Sequence, residues 1–138
     1  MARDKIHDAV KNALIKDGWQ ITHDPFGLEY KEISIFADLA AEKQPILVTK
    51  GAQKIIVEVK TFSERSFIRA LQQALGQYSL YLDVIELGQL DYEFFLAIND
   101  IVYRQFFTRE GVSQIIQRHQ LKMFTVDIEQ EEIVQWIK

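Results

Sequence analysis

The chain has 138 residues, 48% of them hydrophobic and 26% charged, which is enough to bury one core without covalent staples. It has no cysteine, which excludes disulfides and thiolate metal sites, and its apolar runs fall far short of the roughly 20 residues that cross a bilayer. A net charge of −4 excludes a uniformly basic nucleic-acid binder, and the charge-studded start MARDKIHDAVKNAL is not a signal peptide, so a cytoplasmic location is expected.

In chain order, residues Ala2 to Asp17 read as a helix, because Ile6, Ala9, Val10, Ala13 and Leu14 recur on one face and Gly18 stands where a helix stops. Trp19 to Thr22 reads as a short strand ended by the Asp24-Pro25-Phe26-Gly27 turn. In EISIFADLAAE, Ile33, Ile35, Ala37 and Leu39 alternate with Ser34, Phe36 and Asp38, as in one half-buried strand. A turn at Gln44-Pro45 leads through ILVTKG into QKIIVEVKTF, the most apolar strand of the set. A long helix from about Ser66 to Ile85 follows, with Ser63 or Ser66 as cap and a stripe of Phe67, Leu71, Leu75, Tyr78, Leu82 and Ile85 to lay on a sheet. Tyr92 to Ile98 is an interior strand, Arg109 to His119 a helix, and KMFTVDI a last strand. The tail EQEEIVQWIK is a short amphipathic helix or strand, and its Ile133, Val134, Trp136 and Ile137 need a cover from the core or from a partner. No repeat or linker interrupts this order, so residues 1–138 are read as a single α/β domain with a mixed central sheet.

The apolar strand Ile55–Phe62 carries Glu58 and Lys60 in its middle. Strand alternation sends Ile56, Glu58 and Lys60 to one side, and Ile55, Val57 and Val59 to the other, which reads as core. The acid and the base then stand about 6.6 to 6.8 Å apart on one face. An isolated E-x-K of this kind is ordinary surface decoration. Asp38 changes that reading, since it closes the preceding apolar strand and can meet Glu58 at one end of the sheet if the strands are neighbours. Two carboxylates there make a hard-oxygen site for Mg²⁺ or Mn²⁺, with Lys60 placed to assist a water or to stabilise charge on a phosphate. Between Lys43 and Arg69 there are also six bases against two acids. Solvated strand and loop charges are the simpler reading of that excess, and a phosphate backbone held on one side is the other.

Asp38 followed by Glu58-Val59-Lys60 resembles the D…(D/E)-x-K signature of PD-(D/E)XK nucleases, with Ala37 where the name's proline would stand. That resemblance implies a restriction-endonuclease-like αβββαβ core with an additional helix and strand. Gln77 and Tyr81 resemble the Q-x-x-x-Y pattern that RecB-like members of that superfamily carry on the next helix, and Gln73 shares their helical face. His7 is placed to support the site, while Asp8 and Glu42 are candidates for further ligands. Over nearly the whole chain, HDAVKNALIKDGWQITHDP, ADLAAEK, IIVEVKTF and LQQALGQYSLY resemble the XisH family of fdxN element excision controlling factors. The resemblance implies an accessory role in excising a DNA element during heterocyst differentiation in cyanobacteria. It implies work beside a site-specific recombinase and a small XisI-like partner. Three functions fit: a Mg²⁺-dependent endonuclease, a non-catalytic module that binds DNA or the XisI-like protein, and a toxin–antitoxin-like pair. A homodimer is left open.

Overall fold

The computed structural model describes residues 2–45, 51–62 and 64–138. Three expectations lie outside the described residues: the ILVTK lead-in at 46–50, the base Lys50 within it, and the Ser63 cap. The elements are α1 (Ala2–Lys16), β1 (Gln20–His23), β2 (Phe26–Tyr30), β3 (Ile33–Ala37), β4 (Leu39–Lys43) and β5 (Gln53–Lys60). A 3₁₀ turn (Glu64–Ser66) then opens α2 (Phe67–Leu87), followed by β6 (Glu93–Asn99), α3 (Asp100–Val102), a π-helical turn (Tyr103–Phe107), α4 (Glu110–Arg118), β7 (Met123–Asp127) and β8 (Glu132–Ile137).

Six strands form one mixed sheet in the order β1-β4-β5-β6-β7-β8, while β2 and β3 make a separate two-stranded ribbon. β1, β4 and β5 are an antiparallel meander, and β5, β6 and β7 run parallel. α2 is the crossover that parallel β5 and β6 require. This is the expected mixed α/β order, with a ribbon inserted between β1 and β4 and one extra helical segment at residues 100–107. That segment lacks a long apolar stripe; it is pinned by the buried pair Phe106 and Phe107 and by Asp100, whose carboxylate accepts from the buried Thr125 hydroxyl at 2.8 Å.

α1 covers one sheet face, where Val10, Ala13 and Leu14 join Leu39, Ala41, Ile55, Val57, Phe95, Ala97 and Phe124 in one core. On the other face α2 and the ribbon bury Leu71, Tyr78, Tyr81 and Leu28 with Ile56, Phe94, Leu96 and Ile98. β5 is therefore covered on both sides, and Ile56, expected on the same open face as Glu58, is completely buried. The strand is fully buried at Ile55–Val57 and lets side chains out at its ends, toward the site from Glu58 onward.

The stretch Ile33–Glu42 is not one strand. It breaks at Asp38, with β3 pairing β2 in the ribbon and β4 pairing β1 and β5 in the main sheet. Alternation along the sequence misses the break because it continues in phase through it: Ala37 and Leu39 are both buried, each in a different core. Likewise the Asp24–Gly27 turn is shorter than expected, since β2 already starts at Phe26. The tail is a strand: β8 pairs antiparallel with β7, and Trp136 meets Phe124, Phe95 and Trp19 at 4.7, 5.1 and 5.9 Å between ring centroids. Its cover is thus the core, except for Val134, which is 51% exposed.

Candidate functional site

Register sets the geometry. Leu39 lies opposite Val57 in the antiparallel β4–β5 ladder, so Asp38, one residue before β4, stands beside Glu58. The two residues lock reciprocally: the Asp38 N–H donates to Glu58 Oε1 at 3.1 Å, and the Val59 N–H donates to Asp38 Oδ2 at 2.8 Å. The ladder that ends at Leu39 is thus continued by carboxylates in place of carbonyls. That substitution frees the chain to turn from β4 back into the ribbon while both acids are held at one point.

Asp38, Glu58 and Lys60 line one cavity of about 580 Å³, together with His7 from α1 and Gln73 and Gln77 from α2. Its remaining wall is Ile6, Val59, Thr61 and Ala70. His7 bridges two acids, with Nε2 2.9 Å from Asp24 Oδ1 and Nδ1 3.9 Å from Asp38 Oδ1. Lys11, one turn further along α1, donates to Asp24 Oδ2 at 2.8 Å. Burial pushes the Asp24 carboxyl upward, but the hydrogen bond from Lys11 and the positive charges of His7 and Lys11 prevail and hold it below its ordinary value. Asp24 and Lys11 thus orient His7, a role their sequence positions in a turn and on a helix do not announce. The one clue is that His7 and Lys11 are spaced i,i+4.

Tyr81 is not among the residues that line the cavity. It is buried, stacks on Phe94, and donates its hydroxyl proton to the Phe36 carbonyl. By holding the backbone two residues before Asp38, it positions the corner that delivers the acid. Burial, and then the negative charges of Glu58 and Asp38, push its phenol above the ordinary tyrosine value, so it stays a donor. Gln77 carries the opposite signature: its Oε1 is buried and has no hydrogen-bond partner among the described residues. Two candidate ligands fall elsewhere. Glu42 sits along β4 opposite Lys54, away from the cavity, because Asp38 lies before that strand and the three intervening residues carry Glu42 toward its far end. Asp8 is exposed and does not line the cavity, being one residue round the helix from His7.

Glu58 is the electrostatic centre. Burial first, then the charge of Asp38 and a hydrogen bond with it, push its carboxyl up to about 7 against the partial relief of Lys60 and the Asp38 N–H. A divalent cation fits this arrangement, since it would relieve the repulsion of two adjacent carboxylates. Among the described residues no three of His, Asp and Glu converge as a ready ligand set, so Asp38 and Glu58 would hold such an ion with water completing its shell.

The raised Glu58 has a consequence for the metal-free protein. Folded Glu58 binds its proton more tightly than the unfolded chain does, so this contribution to stability is complete below about 4.5 and is lost as pH rises through about 7. Glu58→Gln, which retains an oxygen for the Asp38 N–H, is therefore expected to be more stable than wild type at pH 8 in EDTA, by on the order of 1 kcal/mol after allowing for solvent, and to lose that advantage at pH 5. Urea denaturation of the two proteins at both pH values measures the difference.

The basic residues between Lys43 and Arg69 divide among separate tasks. Lys43 pairs with Asp17 at 3.5 Å and lies over Trp19, Lys54 lies over Tyr92, and Lys60 lines the carboxylate cavity. Arg65 and Arg69 line a second cavity.

Comparison with known proteins gives concordant matches. The crystal structure of an fdxN element excision controlling factor protein from Anabaena variabilis superposes with a TM-score of 0.87 at 39% identity, covering 99% of this chain and 100% of that one. An XisH family protein from Nostoc punctiforme gives a TM-score of 0.86 at 38% identity, with 98% and 100% covered. No curated protein matches. The XisH protein family model matches residues 1–134, and with relatives this similar over their whole length the chain belongs to the XisH family.

Proposed function

We propose that the chain is a divalent-metal-dependent DNA-cleaving protein of the PD-(D/E)XK kind that serves as an accessory factor in excising a DNA element. The observation that carries the reading is the pair Asp38 and Glu58, locked together by reciprocal backbone hydrogen bonds beside Lys60 in one cavity. The excision role rests on similarity to the Anabaena variabilis protein, which is described as an fdxN element excision controlling factor.

Mg²⁺ or Mn²⁺ held by Asp38 and Glu58 would supply a water of lowered pKa and neutralise phosphate oxygens. Around it the chain's own groups divide the work. Lys60, on the same face of β5 as Glu58, provides positive charge where a phosphate gains negative charge. Gln77 lines the cavity from α2, and His7 holds Asp38 from the side of α1. Tyr81 keeps the Phe36–Asp38 corner in place from the core. Incubation of supercoiled and linear DNA with protein and Mg²⁺ or Mn²⁺ tests the reading: wild type cuts, and Lys60→Ala cuts at least about 10²-fold more slowly. Cutting that is the same in both proteins removes the assigned mechanism.

A second reading is favoured by the acidic net charge and by the lack, among the described residues, of a third converging acid or histidine ligand. Here the chain binds DNA or an XisI-like protein without cutting, alone or as one half of a toxin–antitoxin-like pair. A stable complex with such a partner, combined with no metal-dependent cleavage, selects it.

A further inference from the structure

A second cavity lies apart from the carboxylates. It measures about 690 Å³ and is lined by Arg65, Phe67, Arg69, Phe106 and Arg109, among others, where the start of α2 meets the start of α4. All three arginines are exposed, and among the described residues none is paired with a carboxylate. Arg109 lies over the Phe106 ring, 4.9 Å from its centroid, a contact that orders the guanidinium without using its N–H donors. Three cations line one recess in a chain of net charge −4, a local charge pattern that suits a ligand with several negative charges.

The recess adjoins the carboxylate cavity along α2. On α2, Arg69, Gln73, Gln77 and Tyr81 follow each other at intervals of four and so form one ridge, with Arg65 four residues ahead in the 3₁₀ turn. The ridge runs from the arginine cavity into the carboxylate cavity, whose wall includes Ala70, Gln73 and Gln77. At about 1.5 Å of rise per residue, Arg69 stands about 6 Å along the axis from Gln73 and about 12 Å from Gln77. Duplex DNA advances about 3.4 Å per nucleotide of one strand, so the two cavities are a few nucleotides apart.

We propose that Arg65, Arg69 and Arg109 form a clamp for DNA backbone phosphates that holds the strand a few nucleotides from the bond lying at Asp38 and Glu58. The clamp rests on the reading that DNA is the ligand, and it holds whether or not the bond is cut. Guanidinium forks suit phosphate oxygens, and the apolar floor of Phe67 and Phe106 keeps the recess open between them.

Fluorescence anisotropy of labelled duplex and single-stranded DNA with the full chain in EDTA isolates binding from cleavage. Arg69→Gln/Arg109→Gln is expected to weaken binding at least about 10-fold and to lower the slope of log affinity against log salt by about two. Arg118→Gln, an exposed arginine at the end of α4 that does not line the cavity, is expected to change neither, and circular-dichroism melts confirm that all variants fold. The clamp is overturned if the double variant matches wild type, if Arg118→Gln weakens binding equally, if polyglutamate displaces DNA at equal charge, or if wild type binds no DNA. The nuclease reading fails separately: binding that depends on the arginines but never leads to Mg²⁺-dependent cutting sinks that reading and keeps the clamp. Cutting with arginine-independent binding does the reverse.

Discussion

If the proposed metal-dependent cutting holds, Asp38→Asn is expected to reduce it by at least about 10²-fold and to lack the rise in melting temperature expected of the wild type in Mg²⁺. The substitution is chosen because asparagine retains a side-chain oxygen for the Val59 N–H, the bond that ties residue 38 to β5. What disappears is the negative charge. Without it the neighbouring Glu58 loses the second-largest cause of its raised pKa, so the metal-free variant should be at least as stable as wild type above neutral pH. A loss of cutting in a protein that is no less stable cannot be ascribed to unfolding. Differential scanning fluorimetry with and without Mg²⁺, beside a gel-based cleavage assay, reads both effects on one preparation. If Mg²⁺ stabilises wild type and Asp38→Asn equally, the ion does not sit between these carboxylates and the metal-dependent reading fails.

Trp136→Ala is expected to destabilise the fold by about 3 kcal/mol. The indole sits in a cluster of four aromatic residues, against Trp19 from the α1–β1 connection, Phe95 from β6 and Phe124 from β7, and β8 is an edge strand with β7 as its one neighbour in the sheet. Removing it opens a void that the surrounding strands cannot close, while its partly exposed edge keeps the cost toward the low end for a large aromatic. Equilibrium unfolding in urea measures the loss. The same experiment bears on the tail as a partner interface: a variant of undiminished stability would return Trp136 to that role. With the predicted loss, any weakening of a protein complex by Trp136→Ala reports folding and not contact. Val134, exposed on the same strand, is the residue to change when a partner is sought.

The XisH chain shows where periodicity suffices and where it does not. α1, α2, β5, β6 and β7 were legible because each carries an apolar pattern long enough to fix its type, and their order specifies a mixed sheet with a crossover helix. Glu58 and Lys60 stood out for the related reason that charges interrupt an otherwise apolar strand. The break at Asp38 was hidden because two strands in different sheets happened to continue one alternation. The helical segment at 100–107 was hidden because its cues are two phenylalanines and a buried aspartate, too few for a period.

What the sequence determined by itself is therefore local: element types, their order, the family, and the residue types a hard-cation site would use. What only the tertiary structure decided is which of those residues meet. Register across β4 and β5 put Asp38 beside Glu58, and α1 brought His7 to them while leaving Asp8 outside. The start of α4 carried Arg109 to Arg65 and Arg69, forty residues or more away along the chain. Such meetings depend on how sheet faces and helix ends are placed in space, and no periodicity along a single segment encodes a distance between two segments.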